Sequence, residues 1–255
     1  MGRTALLSVA LIAVAALLAS AGAPRTDRLA PLPRIVLWVW ERPENLTFID
    51  PAELGVAYLD RTVHLEGDST RVRLRRQPLS VAPGTRTLAV ARIETSPSQP
   101  PSLSFRQREE LVGELVPLAT RAGVSAIQID FDATRSERGF YALVLADLRS
   151  SLPPSMPISI TALASWCIGD PWIAGLPIQE AVPMLFRMGP DDGLVRRRLS
   201  GHNPFSVPVC RHSAGISTDE PLPPLPSGSR VYIFSPLPWS QASVQVAIRK
   251  VKSWF

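Results

Sequence analysis

The sequence predicts an α/β chain folded as a (β/α)8 TIM-type barrel with eroded or missing helices. Three observations predict it. Eight short β-type runs follow one another, most of them separated by helical patterns or loops long enough for a crossover, as a parallel sheet requires. One run, Gly123 to Ala133 (G-V-S-A-I-Q-I-D-F-D-A), is apolar on one face and acidic at its C-terminal tip, the end at which such barrels carry their chemistry. The length also fits: after a leader of 23 residues the 255-residue chain retains roughly 230, close to the roughly 250 typical of this barrel. A doubly wound sheet is the rival, but no Gly-rich phosphate loop follows the first strand.

Residues 1–23 read as a signal peptide. Arg3 supplies the positive start, Ala5 to Leu18 is small and apolar, and Ala21-Gly22-Ala23 is an A-x-A cleavage site, with Ala19-Ser20-Ala21 as a second. An uncleaved N-terminal anchor is the alternative, although the apolar stretch is short for a span. The expectation is a secreted or periplasmic protein with no membrane span once the signal is removed. Residues 24–33 read as a Pro- and Arg-containing linker, and residues 34–255 as one barrel domain.

Ile35 to Trp40 (I-V-L-W-V-W) is a buried first strand, followed by Glu41 and a Pro-broken loop. Gly55 to Leu65 and Arg71 to Leu79 flank Glu66-Gly67-Asp68-Ser69 as a hairpin, because Gly and Asp supply the turn. The hairpin leaves little room for a second helix. Thr87 to Ile93 is the third strand and ends at Glu94. Ser104-x-x-Gln107 caps a helix carrying Leu111, Leu115 and Leu118.

The acidic strand comes fourth. Alternation puts Gln128, Asp130 and Asp132 on one face and Ile127, Ile129 and Phe131 on the other. Thr134-x-x-Glu137 starts a helix that Pro153-Pro154 stops. Ile158 to Ala162 is the fifth strand, opening into Ser165-Trp166-Cys167, and Val182 to Arg187 the sixth. A small helix, Asp191 to Leu199, and an irregular segment, Gly201 to Gly215, precede a weak seventh strand at Ile216 to Thr218. Val231 to Phe234 is the last strand, and Trp239 leads into a closing helix from about Ser240 to Trp254.

The formal charge of +5 is mild, and its cations are nearly all Arg, with Lys250 and Lys252 the only lysines. Arg71 to Arg76 alternates with Val72 and Leu74 as an exposed strand face does, and no aromatics interleave with basic residues. Nucleic acid is therefore not an expected partner. Cys167 and Cys210 are expected to pair in an exported chain. They and the scattered His64, His202 and His212 lack the spacing of a metal site, and no cofactor motif is present.

On a barrel the strand ends converge on one pocket. Here they bring Trp40 and Glu41, Arg92 and Glu94, Gln128, Asp130 and Asp132, Trp166, Met184, Phe186 and Arg187, and Trp239. Acids among tryptophans suit a sugar: indole faces pack on apolar ring faces, and carboxylates handle the glycosidic proton. Asp132 and Asp130 are the candidate catalytic pair and the others the candidate substrate contacts, since close acids push their pKa values apart. The bland alternative is that one aspartate caps the next helix and the other forms an ion pair.

The run I-Q-I-D-F-D resembles the fourth-strand signature D-G-I-D-I-D-W-E of family-18 glycoside hydrolases, the chitinase-like barrels. Aligned so, Asp130 falls on the last aspartate and Asp132 on the catalytic glutamate. Val182-Pro183-Met184-Leu185-Phe186 is similar to their sixth strand, and Trp239 sits where they place a tryptophan floor. A closer likeness is to a bacterial family designated domain of unknown function 3142. It shares the Q-I-D-F-D-A strand, the W-x-W-E first strand and the P-L-P-W ending, across most of the chain.

The chitinase resemblance implies that Asp132 protonates the leaving oxygen while Asp130 orients an acetamido group that attacks. The chain departs from that pattern: Ser125 and Gln128 replace two upstream aspartates, Asp132 is one methylene shorter than glutamate, and Arg187 replaces an acid or amide. Glu41 or Glu94 would serve as a second carboxylate in a two-acid mechanism. The expected partner is a polysaccharide or oligosaccharide. A barrel that binds glycan or cell-wall material without cleaving it is the alternative, and an envelope barrel without a ligand the third.

Overall fold

The computed structural model describes residues 29–252 except 202–203 and 226–227; the signal-peptide reading lies outside the described residues. No helix among them is long and apolar enough to cross a membrane. The barrel is built from β1 (Ile35–Val39), β3 (Leu54–Glu66), β6 (Thr87–Thr95), β7 (Val124–Asp130), β8 (Ile158–Leu163), β9 (Glu180–Met184), β10 (Ser213–Ser217) and β11 (Arg230–Phe234). All eight pair in parallel with their neighbours, and β1 pairs with both β3 and β11, which closes the ring. Closure leaves the barrel strands no free edge.

Side-chain alternation sorts residues between two environments. Inward go Val36 and Trp38 of β1, Leu88 and Val90 of β6, and Tyr232 and Phe234 of β11, in one apolar cluster. Outward go Ile127, Ile129 and Phe131, which pack under α1 (Phe105–Leu115) and α2 (Arg138–Ser151). On the far side, Ile35, Leu37, Val231 and Ile233 are covered by α5 (Gln241–Lys252) through Val244, Ala247, Ile248 and Val251.

The missing second helix has a replacement. β2 (Glu44–Leu46) pairs in parallel with β5 (Leu79–Val81), and buried Leu46, Ile49 and Ala82 join the outer cluster there. The expected second run of the hairpin is therefore split: β4 (Ser69–Leu74) pairs antiparallel with β3, and the chain then turns away to form β5. Gly67, at φ 51°, sits in the two-residue hairpin turn, a backbone conformation that favours glycine. Beyond the seventh strand's expected start, Ser213 to Gly215 also belong to β10. Between β8 and β10, on either side of β9, the α-helices among the described residues are the short α3 (Ala164–Ile168) and α4 (Asp192–Leu199), and Cys167 of α3 is bridged to Cys210, just before β10, by a disulfide with Cα atoms 5.9 Å apart.

Residues 29–33 are not a free linker. Leu29 and Leu32 are buried in the inward cluster with Val36 and Leu88. Arg230 Nη2 donates to the Leu29 carbonyl at 2.8 Å and Arg230 Nε to the Pro33 carbonyl at 3.2 Å. Two leucines in an otherwise polar stretch give too weak a period to reveal this packing.

Candidate functional site

Strand β7 ends at Asp130, so the two aspartates face different surroundings. Asp130 is buried and both its oxygens are occupied: Oδ2 accepts from Arg92 Nη1 at 3.0 Å and Oδ1 from Thr161 Oγ1 at 2.7 Å. The pairing of Ile129 with Ile160 sets Asp130 beside Thr161, and that of Ala91 with Ile129 sets it beside Arg92. Asp132 lies past the strand, exposed at the rim, and no hydrogen bond or ion pair is formed by it among the described residues. Desolvation on this crowded rim, followed by the charge of Asp130, holds its carboxyl above the ordinary range, and Arg92 only partly offsets them. Because Asp132 remains exposed as a residue, this is the desolvation of a packed rim and not of a sealed core.

The bland reading of the two acids is half realised. Asp130 does sit in an ion pair. No aspartate caps the next helix, however: its N-cap residue is Glu137, which makes no side-chain cap bond and instead accepts through Oε2 from both the N–H and the hydroxyl of Thr134 at 2.7 Å. Asp132 has neither structural role.

Arg92 is the hub. Its Nε donates to Glu94 Oε1 at 2.8 Å, and its guanidinium lies 5.7 Å from the centre of the Trp40 ring. Burial alone would lower its pKa, but Asp130, Glu94 and Asp132 together hold it above its ordinary value. Glu94 Oε2 also stands 3.3 Å from His64 Nδ1. Beside this cluster opens a cavity of about 410 Å³. Trp40 and Glu41 line it from the end of β1, Leu59 and Thr62 from β3, Arg73 from β4, and Arg92 and Glu94 from β6. Glu41 forms an ion pair with Arg73.

The loop behind Trp40 and Glu41 is fastened by two arginines. Arg75 donates to the carbonyls of Trp40 at 2.7 Å and Arg42 at 2.6 Å. Arg42 in turn donates to the carbonyls of Ser235, Pro236 and Leu237. These satisfy loop carbonyls that no strand pairs.

Met184 and Phe186 reach the inward aromatic cluster at the mouth, with Phe186 and Phe234 ring centres 4.9 Å apart. Met184 lies against Gly215, where an added Cβ would meet its Sδ at 2.6 Å. Arg187 is exposed at φ 50°, its N–H donating to Glu220 and its Nη2 to Asp219 Oδ2 at 2.9 Å.

Three expected substrate contacts are not brought to the mouth. Gln128 is 0% exposed and committed inside the barrel: its Oε1 accepts from Trp38 Nε1 at 3.0 Å and its Nε2 donates to Ser159 Oγ at 3.1 Å. Ser159 passes the chain to Glu180 Oε2, which also accepts from Tyr232 OH at 2.7 Å, while Glu180 Oε1 accepts from Arg230. Gln128 shares a face with Asp130 but sits one layer deeper, a depth that parity alone does not give. Trp166 is buried on the outer side, edge-on to Trp172 at 4.9 Å. Trp239 is buried under α5 and donates through Nε1 to the Trp38 carbonyl at 3.1 Å. Both indoles follow their strands' ends but turn outward into the apolar layer between sheet and helices.

Thr161 and Thr62 have no place in the sequence reading, and Arg73 enters it only as part of the exposed Arg71 to Arg76 strand face. Thr161 was reachable, as strand parity on the fifth strand points it to the same side as Asp130 on its neighbour. Arg73 needed the hairpin's direction, which no local pattern fixes. No family model, no curated protein and no solved structure matches this chain.

Proposed function

We propose that the mouth of the barrel is a saccharide site at which Asp132 acts as general acid on a glycosidic bond of a polysaccharide or oligosaccharide. The observation that carries this reading is the contrast between the two aspartates: one clamped through both oxygens, its neighbour unclamped with its carboxyl pushed up. A carboxyl that keeps its proton nearer neutrality is what a leaving glycosidic oxygen requires.

In the step envisaged, the Asp132 proton passes to the glycosidic oxygen as its bond to the anomeric carbon breaks. Asp130, each oxygen already held by one hydrogen bond, is a poor nucleophile; it offers a fixed negative charge to the cationic sugar, or through a remaining lone pair orients an acetamido group that captures the anomeric carbon. Water then attacks, and the Asp132 carboxylate takes up its proton. Phe186 offers a ring face to the sugar, and Met184 shapes the floor. The likeness of I-Q-I-D-F-D to the chitinase-like signature supports the same roles. The leader sequence and the Cys167–Cys210 pair support export to a secreted or periplasmic location.

A second reading is a glycan-binding barrel without cleavage. It is favoured by the state of the other acids, since Glu41 is paired with Arg73 and Glu94 with Arg92. Incubating wild type and Asp132→Asn with a panel of soluble glycans separates the two. Reducing-end release by wild type, lost in the variant while binding persists, is the expected result. Binding without release by either protein would replace the hydrolase with the binding barrel.

A further inference from the structure

The cavity beside Arg92 has a chemistry different from that of the aspartate pair. Its charged lining is balanced, two carboxylates (Glu41 and Glu94) against two guanidiniums (Arg73 and Arg92). Each group also keeps capacity to spare. A carboxylate has about four lone-pair positions and a guanidinium five N–H donors, whereas Glu41 meets Arg73 and, at 3.4 Å, the Arg76 N–H, and Glu94 meets Arg92 and His64. Trp40 lines the same space and is only half-buried. The volume of about 410 Å³ lies within the roughly 300–1,000 Å³ usual for small-molecule sites.

Resting on the saccharide reading above, we infer that this cavity is a second sugar subsite, taking a neutral, hydroxyl-rich hexose residue of the same glycan chain against Trp40. Hydroxyl groups both donate and accept, so they can use spare carboxylate lone pairs and spare guanidinium hydrogens at once. A uronate would meet Glu41 and Glu94, and a glucosamine ammonium would meet Arg73 and Arg92. Neither charge gains a net counter-ion from a balanced wall. Arg92 joins the two sites, contacting Asp130 on one side and lining the cavity on the other. The bound chain thus runs from Asp132 over Arg92 toward the β3–β4 hairpin.

The test follows the Trp40 indole N–H resonance of ¹⁵N-labelled protein, assigned by its loss in Trp40→Phe. The probes are glucose, galactose, mannose, galacturonate and glucosamine. At least one neutral hexose is expected to move the resonance at several-fold lower concentration than either charged sugar. Glu41→Gln leaves Arg73 without its partner and should move the preference several-fold toward galacturonate. Arg73→Ala leaves Glu41 without its partner and should move it toward glucosamine. The Arg73 side chain is 54% exposed and that of Glu41 14%, so each variant is first checked for a wild-type circular-dichroism spectrum and melt; a merely structural role would not reverse selectivity in opposite senses.

A charged sugar that outcompetes every neutral hexose on wild type, or no response to any of the five, overturns the subsite. Reducing-end release from a longer glycan with a silent Trp40 resonance would reject the subsite and leave the hydrolase standing. A Trp40 response without release from any glycan would uphold the subsite and reject cleavage.

Discussion

Asp130 and Asp132 are two residues apart and chemically far apart. What separates them is where the strand stops: Asp130 is the last residue of β7 and meets Arg92 and Thr161, whereas Asp132 stands beyond it. Their opposite environments carry a pH dependence whose sign is fixed. The folded-state pKa of Asp132 is raised, so its stabilising linkage is full below the ordinary carboxylate range and is lost as pH rises through the raised value. Asp132→Asn cannot ionise. Its melting temperature should therefore exceed that of wild type at neutral pH, with the gap closing as the pH is lowered through the carboxylate range; thermal melts across that range check this. Arg92→Gln removes a charge-assisted bond from buried Asp130 and should cost about 1–3 kcal/mol in chemical denaturation. Since Arg92 opposes the upward shift of Asp132, the same variant should raise that carboxyl further.

At the scale of elements, the eight barrel strands were legible because each is a short β-type run with turn or helix signals on either side. The acidic strand was the most legible, as its alternation separates Ile127, Ile129 and Phe131 from Gln128 and Asp130. Depth and direction were not legible. Gln128 looks like a site residue in one dimension, yet it belongs to the Trp38–Gln128–Ser159–Glu180–Tyr232 chain inside the barrel. Trp166 and Trp239 follow strand ends, but apolar packing against α-helical layers outweighs the reach to the mouth. Register is what shapes the mouth itself: Gly215 pairs with Met184, and a methyl there would strike the Met184 sulfur. Gly215→Ala should therefore displace Met184 from the mouth at a cost of about 1–2 kcal/mol, seen as a lowered denaturation midpoint with unchanged m-value.

Across the whole molecule the barrel is asymmetric in how it is covered. Helices cover β6 to β8 and β11, while the β2–β5 pair covers the flank next to β1 and β3. This leaves the β3–β4 hairpin free to rise beside the mouth and form one wall of the cavity. That architecture was only partly legible: the hairpin signal excluded a helix, but nothing local to Leu79–Val81 announced its pairing with Glu44–Leu46. The thinly covered stretch between β8 and β10 relies on the Cys167–Cys210 bridge, which spans 43 residues. In the loop-entropy account such a bridge contributes about 4 kcal/mol. Reduction, or Cys167→Ser with Cys210→Ser, should lower stability by about that amount, read as the difference between oxidised and reduced denaturation curves.

The central claim is that Asp132 is an unclamped acid whose carboxyl is held above its ordinary range at the mouth of the barrel. Carboxyl-detected NMR titration of ¹³C-aspartate-labelled protein measures it directly, with Asp132 assigned by its loss in Asp132→Asn. The account predicts that Asp132 titrates above the exposed aspartates of the same chain, and that Asp130→Asn moves it downward by removing the neighbouring charge and freeing Arg92. An Asp132 that titrates with the exposed aspartates in wild type, and is unmoved by Asp130→Asn, would contradict it.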